Sequence, residues 1–160
     1  KILPHAFAQL GESIRPQVWH QTGEAQCDAT TQSYKDMGVE AKVTAFIDGM
    51  AEAYGWADII ICRAGASTVS EVAVMGLPAI FIPYPHAVDD HQFHNTEILT
   101  RSKAASCIRQ ENLTPEKLAA FIQAWHSDRQ ALREASQHAK GVALFDSTEN
   151  ILKIVSKHLA

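Results

Sequence analysis

Four consecutive apolar residues, Ile59-Ile60-Ile61-Cys62, constrain this chain most. A strand with one wet face alternates apolar and polar residues, whereas a strand covered on both faces does not. This run shows no alternation and is too short for a helix with a buried stripe. A second run of the same kind, Ala79-Ile80-Phe81-Ile82, lies downstream. Between them Thr68–Met75 reads as a helix that stops at Gly76 and Pro78. Two doubly covered strands joined by a helix form parallel neighbours, since a parallel crossover is usually helical. The expected class is α/β, an open parallel sheet with helices on both faces.

The alternation extends along the chain. Helices are expected at Ile2–Leu10, ending near Gly11, and at Asp28–Met37, with Gly38 just past its end. A short helix is expected at Asp48–Tyr54, capped by Asp48, and another at His91–Thr100. Strands are expected at Gln17–His20, before the turn Gln21-Thr22-Gly23, and at Ala41–Phe46, Asp58–Cys62 and Ala104–Ile108. From residue 114 to 160 the pattern turns helical. Thr114-Pro115-Glu116 opens one helix with proline at its first position, and Asp128–Lys140 forms a second. Asp146-Ser147-Thr148-Glu149 reads as a capping box for a third that runs to His158. Trp125, Leu132, Leu144, Phe145, Ile151, Ile154 and Val155 recur at helical spacing and are expected in a core. A length of 160 residues suits one domain. The chain opens on a helix with no strand before it.

Charge and cysteine content exclude several functions. A net charge of −4 argues against a general nucleic-acid binder, which would be basic. Cys27, Cys62 and Cys107 are far apart, and no CxxC pair occurs, so neither a disulfide framework nor a zinc ribbon is expected. A reducing cytoplasm fits this usage. No apolar run approaches the roughly 18 residues of a membrane-spanning helix. Lys1 is not a natural start residue, and the chain is expected to be part of something longer.

The chemistry concentrates where the first apolar strand ends. In open α/β sheets, ligands bind at the carboxyl ends of the strands. Here "RAGAST" follows "DIIIC". Its glycine and alanines permit close backbone approach, and the helix start that follows favours an anion. A phosphate-bearing ligand is expected. No GxGxxG occurs, so this is not a dinucleotide fingerprint. Glu71 has two readings. It completes a Thr68-x-x-Glu71 capping box, or it faces the ligand crevice, where a carboxylate accepts hydrogen bonds from two vicinal ribose hydroxyls.

The block "ADIIICRAGASTVSEVAVMGLPAIFIPYPHAVDDHQFHN", with "VWHQTGE" at 18–24 and "VTAFIDGMAEAYGWAD" at 43–58, resembles the donor-binding part of a known family. That family is the bacterial undecaprenyl-diphospho-muramoylpentapeptide N-acetylglucosaminyltransferases. The motifs occur in the family's order and spacing over most of the chain. The resemblance implies the C-terminal, Rossmann-like half of a two-domain GT-B glycosyltransferase. It implies inverting transfer of N-acetylglucosamine from UDP-N-acetylglucosamine to the muramoyl 4-hydroxyl of lipid I, giving lipid II and UDP in peptidoglycan synthesis. Phe46, Ile47 and Met50 then line the uracil site, with the Ile47 backbone reading the base edge. Glu71 matches the residue that binds the ribose hydroxyls, so the resemblance favours the ribose over the cap. Ala66, Ser67 and Thr68 match the loop beside the diphosphate and sugar. His91 and Gln92 match the pair that bonds the sugar hydroxyls, and Asn95 lies one turn further along the same helix. Core packing at a strand end is the competing reading for Phe46.

The histidine-rich loop "PHAVDDHQFHN" invites a metal, but its spacing is not that of a zinc site and no second cluster completes one. Neither a metal nor a cofactor is expected. His86 and Asp89 lie where loop length varies within the family. His20 is expected to be structural rather than catalytic. The family carries a glycine-rich loop and strand before the first helix, and an acceptor domain before that; this chain has neither. No catalytic residue is therefore assigned within it, and alone it is expected to be inactive. The resemblance also implies a peripheral position on the cytoplasmic side of the bacterial inner membrane, made through the acceptor half. Lipid I, through that half, and other cell-wall enzymes are the implied partners. In GT-B enzymes the last helix often crosses to the other domain, so its apolar face is expected to be partly exposed here. Competing functions are a nucleotide-sugar-binding subunit that needs a partner, and a GT-B-like UDP-N-acetylglucosamine 2-epimerase. A dinucleotide-binding domain would need the missing glycine fingerprint.

Overall fold

The computed structural model describes residues 2–159, with Leu159 as backbone only. The elements are α1 (Ile2–Ala8), β1 (Trp19–Gln21), α2 (Cys27–Asp36), β2 (Lys42–Thr44), α3 (Met50–Trp56), β3 (Ile60–Cys62), α4 (Ala66–Met75), β4 (Ala79–Phe81), α5 (His91–Arg101), β5 (Ala105–Cys107), α6 (Pro115–Ser127), α7 (Arg129–Gly141) and α8 (Ser147–Leu159). They divide into two units, one running to Asp58 with Ile108–Glu134, the other Ile59–Cys107 with the residues from Ala135 onward.

In the first unit β1 and β2 pair in parallel, with Trp19 opposite Lys42, His20 opposite Val43 and Gln21 opposite Thr44. The ladder continues past the strand ends. The Thr22 N–H donates to Thr44 O at 3.0 Å and the Gly23 N–H to Ala45 O at 2.9 Å. Phe7, Leu10, Tyr34, Leu118 and Ile122 form the core, where α1 packs on α6 and the Phe7 and Tyr34 rings stack at 6.4 Å. Arg15 fastens the end of α1, donating to the carbonyls of Leu10 at 3.2 Å and Gly38 at 2.9 Å. Gly38 takes φ +63° just past α2, as the sequence predicts. The predicted Asp48 cap is not found. α3 begins at Met50 with Gly49 at its N-cap, because the segment 46–49 is held outside the helix by a hydrogen bond from Ile47 to Gln21.

In the second unit β4 lies between β3 and β5, all parallel. Ala79, Ile80 and Phe81 are fully buried, as the lack of alternation requires. The other apolar strand differs. Ile60, Ile61 and Cys62 are only half-buried, since β3 is an edge strand of its sheet. α4 ends at Gly76, whose φ of +67° suits glycine and closes the helix through bonds back to Val72 and Ala73.

The C-terminal helices correct part of the predicted core. Thr114 caps α6, accepting from the Lys117 N–H at 3.2 Å, and Asp128 caps α7, accepting from the Ala131 N–H at 2.9 Å. Leu132 is buried. Leu144 and Phe145, in the segment between α7 and α8, are exposed, and so are Ile151, Ile154 and Val155, because α8 finds no element among the described residues to cover its apolar stripe. No helix among the described residues is long and apolar enough to cross a membrane.

Candidate functional site

Three residues separate the end of β3 from α4. The helix starts at Ala66, with Gly65 as its N-cap, a residue that has no side chain with which to cap it. The first N–H groups of a helix have no intrahelical partner, and they carry the positive end of its dipole. Ala66, Ser67 and Thr68 occupy that first turn, with Ala66 and Ser67 exposed. This overturns the capping-box reading of Thr68 and Glu71. Ala and Ser are good enough helix formers to extend the helix two residues earlier than predicted, which puts Thr68 inside the first turn and Glu71 beyond it. Glu71 is exposed. Burial, with the Glu71 charge as a second cause, pushes the Cys62 thiol up to about 12. Cys62 is therefore an uncharged neighbour of this carboxylate.

A clamp from α5 holds the loops after β3 and β4. The Gln92 side-chain oxygen accepts from the Ala64 N–H at 3.3 Å and from the Tyr84 N–H at 2.9 Å. Asn95 donates to the Ala64 carbonyl at 3.0 Å. The N–H and the C=O of Ala64, which belong to successive peptide units, are thus satisfied by two side chains on one face of α5. Arg63 adds a third tie, donating to the carbonyls of Ile82 at 3.1 Å and Pro83 at 3.0 Å. Gln92 keeps its NH2 as a donor. Its oxygen is fully used, so any contact it makes with a hydroxyl is as donor.

α5 opens from two aspartates in the left-handed region, Asp89 at φ 50° and Asp90 at φ 52°. Asp tolerates that region better than most residues. His91 Nδ1 lies 2.8 Å from the Val88 carbonyl. A carbonyl only accepts, so Nδ1 carries the proton and Nε2 is the remaining ring nitrogen. His86 packs edge-on against Tyr84 at 5.6 Å. Among the described residues no three His, Cys, Asp or Glu side chains converge on a common point for a metal ion.

In the first unit, the loop after β2 carries the other predicted residues. Phe46 is 66% exposed, which removes the core-packing reading of this aromatic. Met50 is exposed, and Ile47 half-buried. The Ile47 N–H donates to Gln21 Oε1 at 3.0 Å. His20, the neighbouring residue of β1, is packed edge-on at 5.8 Å against Tyr34, with Nδ1 3.1 Å from the phenol oxygen. Burial lowers its pKa. Its ring is thus held by the Tyr34 ring and hydroxyl. A cavity of about 670 Å³ lies at the amino ends of β1 and β2, lined by Arg15, Trp19, Lys42 and Trp56. It holds none of the predicted ligand residues, and it lies away from the strand ends where open α/β sheets bind ligands.

Residues 1–151 match the glycosyltransferase family 28 C-terminal domain. The chain belongs to that family. A UDP-N-acetylglucosamine--N-acetylmuramyl-(pentapeptide) pyrophosphoryl-undecaprenol N-acetylglucosamine transferase from Francisella tularensis is 46% identical over 99% of this chain and 44% of its own length. One of the same name from Marinobacter nauticus is 45% identical over 94% of this chain and 41% of its own. The crystal structure of Acinetobacter baumannii MurG superposes with a TM-score of 0.88 at 40% identity, covering 97% of this chain and 46% of that one. A glycotransferase of kitacinnamycin, at 17% identity and a TM-score of 0.68, shares the fold. The chain thus spans less than half the length of the relatives it matches.

Within this family-28 domain the structure groups the predicted residues by unit. Ala66, Ser67, Thr68 and Glu71 lie on α4, and His91, Gln92 and Asn95 on α5, around the loops that leave β3 and β4. Phe46, Ile47 and Met50 share the loop that leaves β2 and the start of α3. Sequence reasoning missed Gln21, Arg63 and Tyr84, whose contribution is to hold loop backbone. The one available signal was an amide or guanidinium side chain beside a strand's carboxyl end, next to backbone that a loop leaves unpaired.

Proposed function

We propose that this chain is the donor-binding domain of an inverting N-acetylglucosaminyltransferase that acts on lipid I. UDP-N-acetylglucosamine is the donor, and the products are lipid II and UDP. The observation that carries the proposal is the uncapped start of α4 at Gly65, with Glu71 beyond its first turn, in a chain of family 28. Exposed amides at a helix N-terminus suit a diphosphate, and an exposed carboxylate suits vicinal hydroxyls.

The residues divide by chemistry. Phe46 and Met50 offer apolar surface to a base, and the Ile47 backbone meets the base edge. Glu71 accepts from the ribose hydroxyls. The amides of Ala66, Ser67 and Thr68, with the Thr68 hydroxyl, stabilise the diphosphate as negative charge develops on the leaving UDP. His91 Nε2 and the Gln92 NH2 bond the sugar hydroxyls, beside Asn95. The attacking 4-hydroxyl and the base that takes its proton belong to the acceptor half, so the chain alone binds donor without transferring it. The same reading places the enzyme peripherally on the cytoplasmic face of the inner membrane, among other cell-wall enzymes.

Calorimetric titration with UDP-N-acetylglucosamine, UDP and NAD tests the proposal. Both uridine ligands bind and NAD does not. Glu71→Ala weakens both, by about 1–3 kcal/mol, while the melting temperature stays. A folded chain that binds neither uridine ligand overturns the proposal. Release of N-acetylmannosamine from the donor would favour the epimerase.

A further inference from the structure

The loop that leaves β4 is gripped by a side chain from the loop that leaves β3. The last rung between the two is the bond from the Ile82 N–H to Cys62 O at 2.9 Å. Beyond it Pro83 has no N–H, and the carbonyls of Ile82 and Pro83 are served by a side chain. One nitrogen of Arg63, Nη1, donates to both, at 3.1 Å and 3.0 Å. The same guanidinium lies 5.7 Å from the centre of the Tyr84 ring, within the range at which a cation is drawn to an aromatic face. Arg63 thus holds three consecutive residues. The third, Tyr84, is the one whose N–H donates to Gln92 Oε1 at 2.9 Å. The circuit closes on the neighbour of Arg63, because the same Gln92 oxygen accepts from the Ala64 N–H at 3.3 Å.

We propose that Arg63 is a positioning residue for the sugar end of the donor, a role that rests on the donor-domain reading above. It acts through Tyr84 and fixes the direction in which Gln92 presents its NH2. Two N–H groups from different loops meet on one amide oxygen, and together they restrict how the flat amide can turn. If Tyr84 moves off, the oxygen keeps the Ala64 bond alone, and the amide pivots about it. The bonds from Ala64 to Gln92 and Asn95 remain, so the loop before α4 keeps its place. The loss then falls on the sugar and spares the nucleotide. Arginine suits this task, since a planar guanidinium lies against a ring while it donates from its edge. Attraction of the diphosphate by the guanidinium charge would have a different consequence. UDP and UDP-N-acetylglucosamine both carry the diphosphate, so both would weaken alike.

Calorimetric titration of the 160-residue chain with UDP and with UDP-N-acetylglucosamine tests this, with thermal melting as the folding check. Arg63→Met keeps the aliphatic stem and removes every donor. It weakens UDP-N-acetylglucosamine about five- to tenfold and UDP by no more than about twofold. In a Gln92→Glu background no NH2 is left to aim, so the same substitution costs UDP-N-acetylglucosamine no more than it costs UDP. If Arg63→Met fails to fold, Arg63→Lys decides. Its side chain is one atom shorter and ends in a compact ammonium, which cannot serve both carbonyls and lie against Tyr84 together, so the loss again falls on the sugar nucleotide alone. Equal losses for the two ligands in a folded variant, or no loss for either, overturn the role of Arg63 and leave the donor-domain reading standing. A selective loss that persists undiminished in Gln92→Glu overturns the path through Gln92 and with it the proposal. A folded wild type that binds neither ligand removes both readings.

Discussion

Two loops in this chain are held by a glutamine side chain, and they differ in how firmly. After β3, Gln92 accepts from two backbone N–H groups while Asn95 takes the Ala64 carbonyl and Arg63 ties to Ile82 and Pro83. After β2, Gln21 makes a single bond to Ile47. The first loop precedes the helix start assigned to the diphosphate. The second carries the apolar surface assigned to the base. Preorganised amides are worth most where charge develops, because they need no rearrangement when it appears. A base meets the site mostly through apolar contact, which tolerates adjustment. The difference in bracing follows the difference in task.

The largest effect should come from removing the double clamp. Gln92→Leu leaves the Ala64 and Tyr84 amides without their acceptor, at a cost of roughly 2–4 kcal/mol for the two together. Urea unfolding followed by circular dichroism measures it. Gln92→Glu separates bracing from binding. Its carboxylate still accepts from both amides but has no NH2 to donate. Stability should stay within about 1 kcal/mol of the wild type, while UDP-N-acetylglucosamine binding weakens and UDP binding does not. Equal loss for both ligands would mean that Gln92 acts only through the loop.

The single-bond loop is probed next by Gly23→Ala. Gly23 sits at φ +76° and ψ +159°, a region essentially reserved for glycine. No atom lies within 4 Å of the position its added Cβ would take, so the cost is backbone strain alone, about 1–3 kcal/mol. The ladder bond from Gly23 to Ala45 shares this stretch. Affinity for UDP should therefore fall along with stability. Gly11→Ala, at an ordinary φ of −58° and equally open, is the control and should change neither. If Gly23→Ala lowers stability but leaves UDP affinity intact, the loop after β2 is not carried by this ladder.

How much of this was legible depended on the range over which residues speak to each other. The α/β class followed from local pattern, because the apolar runs at 59–62 and 79–82 are strands whichever partners they find. The start at Thr114 and the stop at Gly38 were read from one or two residues, since caps are local chemistry. The Thr68-x-x-Glu71 box failed for the same reason: a local signature cannot tell that Ala66 and Ser67 join the helix ahead of it. The bonds that brace both loops join residues 28 apart for Gln92 and Ala64 and 26 apart for Gln21 and Ile47, and nothing in either neighbourhood marks them. Ile151, Ile154 and Val155 show the converse. Helical spacing identifies an apolar stripe, but whether anything covers it is decided elsewhere.

The smallest effect concerns acid, and it sharpens the picture of β1, the strand that carries Gln21. His20 is buried against Tyr34, and burial lowers its pKa from the ordinary 6.5. The unfolded chain therefore takes up this proton before the folded chain does. Between the two pKa values the unfolded state binds more protons, so stability rises with pH across that window. The contribution is complete above about pH 6.5, declines as the pH falls toward the folded value, and then levels off. Melting temperatures measured from pH 7.5 to 5 should fall on the acid side. His20→Gln keeps a polar partner for the Tyr34 hydroxyl but does not titrate, so its profile over the same range should be flatter. If acid loosens β1, UDP affinity falls in parallel in the wild type and not in His20→Gln. A wild-type slope retained in His20→Gln would place the acid sensitivity elsewhere and separate the packing beneath β1 from the base loop beyond it.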